Sequence, residues 1–189
     1  MTRRIGLLLI AVLVLSTAGC GGPLMLKHSP LTASAQAATP VALVIKDARA
    51  QEFGGGNDLA IGRLRNLGGA SKPFNAGNSV TGAFKALFTD ALAAGGFQVV
   101  DGSPVQIEVD ISTFFMDGYV GYKIDSKIDV RVVSGGAVVH QAPIAEVVAF
   151  TYNVPGDLPE AFDQMMDKIA QDAVAIFNSA EVRTAIAPQ

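Results

Sequence analysis

Apolar and polar residues alternate strictly along two stretches of the chain. In 105–115, Val105, Ile107, Val109, Ile111 and Thr113 share one face, and Gln106, Glu108, Asp110 and Ser112 share the other. In 122–133, Ile124, Ser126, Ile128, Val130 and Val132 oppose Asp125, Lys127, Asp129 and Arg131. A period of two predicts strands with one face on a core and one in water, the pattern of an antiparallel sheet. Ser134-Gly135-Gly136 supplies a hairpin turn, and 138–152 predicts the next strand, bent at Pro143. Residues 41–47 (VALVIKD) predict a central strand, and 97–100 starts the sheet again before the turn Asp101-Gly102-Ser103-Pro104.

Two stretches carry the helical period instead. Val80, Ala83, Phe84, Leu87, Phe88, Ala91 and Leu92 recur on one face of 79–94, with Asn78 or Ser79 as cap and Gly95-Gly96 as stop. Asp157, Pro159 and Glu160 open a second helix striped by Phe162, Met165, Met166, Ile169, Ala173, Val174 and Phe177. Ser179 restarts a short final helix to Ile186. Between the first strand and the first helix lies an irregular Gly-rich segment, 48–78, in which 60–64 reads as a weak strand of an extra hairpin. The order is β-(loop)-α-β-β-β-β-α. It predicts the α+β class: a single two-layer domain over 41–189, an antiparallel sheet with two amphipathic helices on one face.

The N-terminus obeys another rule. Arg3 and Arg4 precede an apolar run, 5–15, of about 16 Å as a helix, half of a ~30 Å bilayer core. That is the h-region of a signal peptide, 1–19, and not a stable span. Ser16-Thr17-Ala18-Gly19-Cys20 resembles a bacterial lipobox, with Thr17 in place of the favoured Leu. The resemblance implies cleavage between Gly19 and Cys20 and a diacylglyceryl group on the Cys20 sulfur. Gly21 stands where the Gram-negative sorting pattern places Asp to retain a lipoprotein at the inner membrane. The expected location is therefore the outer membrane, facing the periplasm. Residues 20–40, beginning with the lipidated Cys, read as a flexible tether of about 25 Å r.m.s. and about 66 Å extended. His28 within it reads as a solvated linker residue.

Composition narrows the chemistry. The chain has 189 residues, is 50% apolar and carries a net charge of −3. Removing 1–19 takes two basic residues and no acid, so the mature chain is more acidic still and does not suit nucleic acid. One Cys and two distant His exclude a disulfide framework and a His- or Cys-based metal site. The Gly-rich segment lacks both the P-loop and the G-x-G-x-x-G spacing. Asp110 and Asp129 are expected on neighbouring strands, but Lys127 and Arg131 alternate with them, as in cross-strand ion pairing on a wet sheet. No catalytic residue, cofactor or metal is expected.

Residues 121–130 (GYKIDSKIDV) resemble a strand of the YajG family of bacterial lipoproteins. Tyr152-Asn153-Val154 succeeded by a Gly and a terminal helix, Gly96-Phe97, and Pro104-Val105-Gln106-Ile107 fit as well. The resemblance covers 41–186. It implies an envelope lipoprotein with an α+β domain and no established enzyme activity. At fold level the layout is also similar to auxiliary lipoproteins of envelope transport systems. The expected function is a non-catalytic adaptor at the membrane, binding another envelope protein through Tyr122, Lys127, Asp129 and Arg131. The alternative is a small-molecule or lipid carrier, with Arg63, Arg65 and Phe74 in a Gly-rich lid.

Overall fold

The computed structural model describes residues 23–34, 38–65, 70–119, 121–150 and 158–186. The expected signal peptide, Cys20, Tyr152-Asn153-Val154 and the expected Asp157 cap lie outside the described residues. Among the described residues seven strands form one sheet: β1 (Thr39–Asp47), β2 (Ala60–Arg65), β3 (Ser71–Asn75), β4 (Phe97–Val99), β5 (Val105–Gly118), β6 (Tyr122–Ser134) and β7 (Ala137–Phe150). Helices α1 (Val80–Ala94), α2 (Leu158–Asn178) and the short α3 (Ala180–Ile186) make the second layer.

Strand β5 is the spine. One edge pairs antiparallel with β6 along its whole length, and β6 pairs antiparallel with β7. The other edge pairs parallel with β1 over 106–111 and then parallel with β2 over 116–118. β3 closes a hairpin on β2, and β4 lies parallel to β1. The two-layer α+β class holds, and the extra hairpin is present. The sheet, however, is mixed and not antiparallel. α1 carries the chain back to the start of β1, so β4 and β5 run in its direction. Alternation reports which face is wet, not which way the neighbour runs.

The expected faces of β5 change partway. Ile111 pairs with Ile128 but Thr113 pairs with Lys127, so Ser112 is an extra residue on β5. This β-bulge reverses the alternation. Ile107, Val109 and Ile111 are buried before it; Phe114 and Met116 are buried after it, and Thr113 moves to the outer face. The Ser112 hydroxyl donates to the Lys127 carbonyl at 3.0 Å. Phe114 thereby enters the helix layer, edge-on to Phe84 of α1 at 5.1 Å and 5.9 Å from Phe162 of α2.

The Gly-rich segment is ordered by charge. The Arg49 guanidinium is fully buried and binds Asp47 through Nε (2.8 Å) and Nη2 (2.8 Å), while Nη1 donates to the Ala60 carbonyl (2.6 Å). The chain wraps so closely that a Cβ on Gly55 would stand 1.8 Å from the Arg49 carbonyl oxygen. Asp58 then locks the segment to α1. It accepts from the Thr81 N–H (2.9 Å), the Thr81 hydroxyl (2.6 Å) and the Ser79 hydroxyl, while Ser79 Oγ accepts from the Gly82 N–H as the N-cap. Burial pushes the Asp58 carboxyl up, but these bonds and the Arg49 charge outweigh it and hold it below its ordinary value.

Residues 23–34 correct the expected tether. They form a strap along the helices, without regular structure. Leu26 is buried, and the Asn78 side-chain amide clamps its N–H (2.8 Å) and C=O (2.9 Å). The Ser29 N–H (2.6 Å) and hydroxyl (2.8 Å) donate to Asp167, and the Ser34 N–H donates to the Ala93 carbonyl. His28 is not a solvated linker residue: its side chain is 8% exposed and Nε2 lies 3.5 Å from Asp90. A Gly-, Pro- and Ser-rich composition describes a strap as well as a linker. What separates them is the apolar Leu24, Leu26 and Leu31, all packed on the core.

Deleting Ser112 should leave the faces unchanged, because Thr113 then follows Ile111 in regular alternation and keeps Phe114 inward and Asp117 outward. The urea midpoint of that variant should stay close to wild type, and an unfolded variant would show that Ser112 does more than occupy the bulge. Asp47→Ala strands the buried Arg49 and should cost about 3–5 kcal/mol by the same measurement, whereas Lys46→Ala on the exposed side should cost less than about 1 kcal/mol.

Candidate functional site

The helices cover one face of the sheet, and the opposite face of β5–β7 is open. Its residues are set by the alternation and the bulge. β6 sends Lys123, Asp125, Lys127, Asp129 and Arg131 outward; β5 sends Glu108 and Asp110 before the bulge, and Phe115 and Asp117 after it. The open face therefore carries two charge clusters.

In the first, Arg131 bridges Glu108 (2.8 Å) and Asp110 (2.6 Å), and Lys46 reaches Glu108 at 3.1 Å. Asp110 and Asp129 stand directly opposite one another, as expected from sequence. Like charges in that position repel, and Arg131 beside them offsets the repulsion. Gln141 donates to Asp129 at 3.4 Å. In the second cluster, Asp117 accepts from Arg63 (2.9 Å) and from Arg65. The Arg63 guanidinium also lies 5.6 Å from the centre of the Phe115 ring, and Phe53 meets that ring edge-on. Hydrogen bonding from Arg63 lowers the Asp117 carboxyl below its ordinary value; burial opposes this and Arg65 reinforces it.

Lys127 is exposed between the clusters, with no ion-pair partner among the described residues. Beside it the face turns apolar. Ala145 pairs with Lys127, Val147 with Asp125 and Ala149 with Lys123, all on β7 and all exposed, Val147 by 50%. Pro143 sits mid-strand on β7, which pairs only β6 among the described residues. A proline there removes a donor from the free edge, so the face, and not the edge, is what β7 offers.

Of the four residues expected on a partner surface, the structure brings Lys127, Asp129 and Arg131 together. Tyr122 is a correction: it points inward with Ile124 and Ser126 and is only 7% exposed. Its even position on β6 puts it on the core face, against Gly118 and Leu64. Of the three expected in a lid, Arg63 and Arg65 meet on Asp117, but Phe74 faces the helices and stacks on Phe162 at 6.2 Å. The space between sheet and helices is filled by Phe84, Phe88, Phe114, Phe162 and Phe177. Depressions on the described surface lie along the strap, beside α3 and along α2. Among the described residues no cluster of His, Cys, Asp and Glu has the makings of a metal site. Asp172 of α2 is pushed up by burial and by Glu146 of β7, with Lys168 opposing. It does not line the depression along α2.

A family model described as an uncharacterized lipoprotein matches residues 28–141, more than half of the chain. The chain belongs to this lipoprotein family. The YajG resemblance read from 121–130 lies inside the matched region. Membership points to attachment at an envelope membrane, and nothing in it indicates catalysis. No curated protein matches the sequence significantly. Among solved structures, a protein from Xanthomonas campestris is similar at 13% identity, with a TM-score of 0.56, over 82% of this chain and 90% of its own. That likeness shows the fold. A lipoprotein from Neisseria meningitidis is similar more loosely, at 9% identity and a TM-score of 0.38, over 70% of this chain and 99% of its own.

Sequence reasoning missed Asp117 as the hub of Arg63 and Arg65, because it places Asp117 on the core side unless the bulge is known. It also missed Arg49 and Asp58, which lie in irregular turns without periodic signal.

The Asp117 carboxyl is held down in the folded state, so its contribution is complete above the unfolded value of 3.8 and is lost as pH falls through the lower folded value. Asp117→Asn should therefore lower Tm at pH 7, and the gap to wild type should close below about pH 4. A gap that stays constant into acid would mean that the Arg63–Asp117–Arg65 cluster does not hold the carboxylate.

Proposed function

We propose that this lipoprotein is a non-catalytic adaptor, anchored through lipid on Cys20 to the outer membrane and facing the periplasm, where the open face of β5–β7 binds another envelope protein. The observation that carries this reading is the face itself. An exposed apolar strip on β7 runs beside charges already fixed by ion pairs, with Lys127 free. Protein interfaces combine an apolar patch with a polar rim in this way. Fixed charges cost little further ordering on binding. The lipobox-like STAGC ending at Cys20, and Gly21 after it, support the anchor and its membrane. A carrier needs unfilled apolar walls, and the phenylalanines between sheet and helices fill that space.

Two measurements test the reading. Wild-type protein in growing cells should take up a palmitate analogue, and Cys20→Ser should not; unlabelled wild type would sink the anchor. A photocrosslinking residue at Val147 should give a discrete protein adduct that Lys127→Glu abolishes, while one at Thr184 should give none. Both Lys127 and Thr184 are exposed, so folding should be retained. The same adduct from Thr184, or one indifferent to Lys127→Glu, would exclude this face as the binding surface.

A further inference from the structure

We infer that the corner formed by Pro23, Met25, Leu59 and Gly77 rests on the bilayer itself; this builds on the Cys20 anchor proposed above. Chain length sets the distance. Only Gly21 and Gly22 separate Cys20 from Pro23, so the lipid-bearing residue stands within roughly 10 Å of the strap's first described residue. A tether of 20 residues, as composition alone suggests, would let the domain drift about 25 Å or more from the surface. The strap shortens it to three steps.

The strap does not peel away freely. Burial of Leu26, the Asn78 clamp on its N–H and C=O, and the two Ser29 bonds to Asp167 would all be lost at once. Returning the buried Leu26 side chain to water opposes this by itself. The exit point is thus fixed on the domain, ahead of the N-terminus of α1.

That point is apolar. Met25 is 48% exposed and Leu59 43%. They are neighbours through one short segment: the Ala76 N–H donates to the Leu59 carbonyl, the Gly77 N–H to the Leu24 carbonyl, and a Cβ on Gly77 would touch Pro23 and the Met25 sulfur. Gly77 keeps the strap close. An apolar corner of this kind, held at a bilayer by a lipid a few residues away, sinks its side chains about 5–10 Å into the headgroup boundary. The opposite end of α1 carries Gly95, whose carbonyl accepts from Arg183 of α3. α3 therefore stands at the far end of α1 from this corner, about 22 Å along the helix.

The test uses full-length, lipidated protein in phosphatidylethanolamine–phosphatidylglycerol vesicles that carry lipids spin-labelled near the headgroup. Lipid consumes the sulfur of the chain's one cysteine, so an introduced cysteine is the sole free thiol. A fluorophore on Leu59→Cys should be quenched several-fold more strongly than one on Thr184→Cys, and Met25→Cys should repeat the result from the strap. Equal or absent quenching at all three positions, on protein whose intact mass includes the diacylglyceryl group, would overturn the docked corner and leave the anchor standing. An intact mass without that group would overturn both.

Discussion

The bulge that absorbs Ser112 in β5 decides which residues of that strand meet the helices and which meet the opposite side. Before it, odd positions of β5 face the helices; after it, even positions do. The change delivers Phe114 to the junction of α1 and α2 and turns Phe115 and Asp117 to the opposite side of the sheet, where Phe53 and Arg63 cover the Phe115 ring. It also falls where β1 ends: Asp47 pairs with Ile111, and the Ala48 N–H donates to the Ile111 carbonyl. The Gly-rich excursion leaves the sheet there and returns as β2 beside Met116. One edge of β5 thus serves two strands in line, with the bulge at the boundary between them.

Charge has two distinct roles in this fold. Around Arg49 it is structural, because a guanidinium without exposure is tolerable only while Asp47 and the Ala60 carbonyl bind it. That requirement shapes the excursion and forces glycine at Gly55. On the open face the ion pairs are half-exposed, and each is worth about 0–1 kcal/mol. They add little to stability but hold the charges at fixed positions beside Val147 and Ala145. A surface arranged at so little energetic consequence to the fold is available for recognition.

The strap is held to the domain by polar and apolar contacts together. Serine and asparagine groups satisfy the backbone of a segment too short and irregular to form a strand or helix, while its leucines pack on the core. The corner at Gly77 and the open face of β5–β7 are separate surfaces of one domain; in the readings proposed above, the first meets lipid and the second a protein partner.

Periodicity and local capping chemistry were enough to specify both long helices with the Ser79 cap, the alternating strands β5 and β6, and the hairpin leading into β7. Lys127, Asp129 and Arg131 fell on the wet face for the same reason. The parallel pairing of β1, β4 and β5 emerged only when the elements packed, since alternation is blind to a neighbour's direction. So did the fate of Phe74 and Asp117, because a hairpin or a single unpaired residue changes which side of the sheet a residue meets; Tyr122, in phase with Ile124 and Ile128, was legible in the alternation itself. The strap was beyond sequence reading on the same grounds: residues 23–34 carry no period, and their partners, Asn78, Asp90 and Asp167, lie far along the chain and meet them only once the helices are packed.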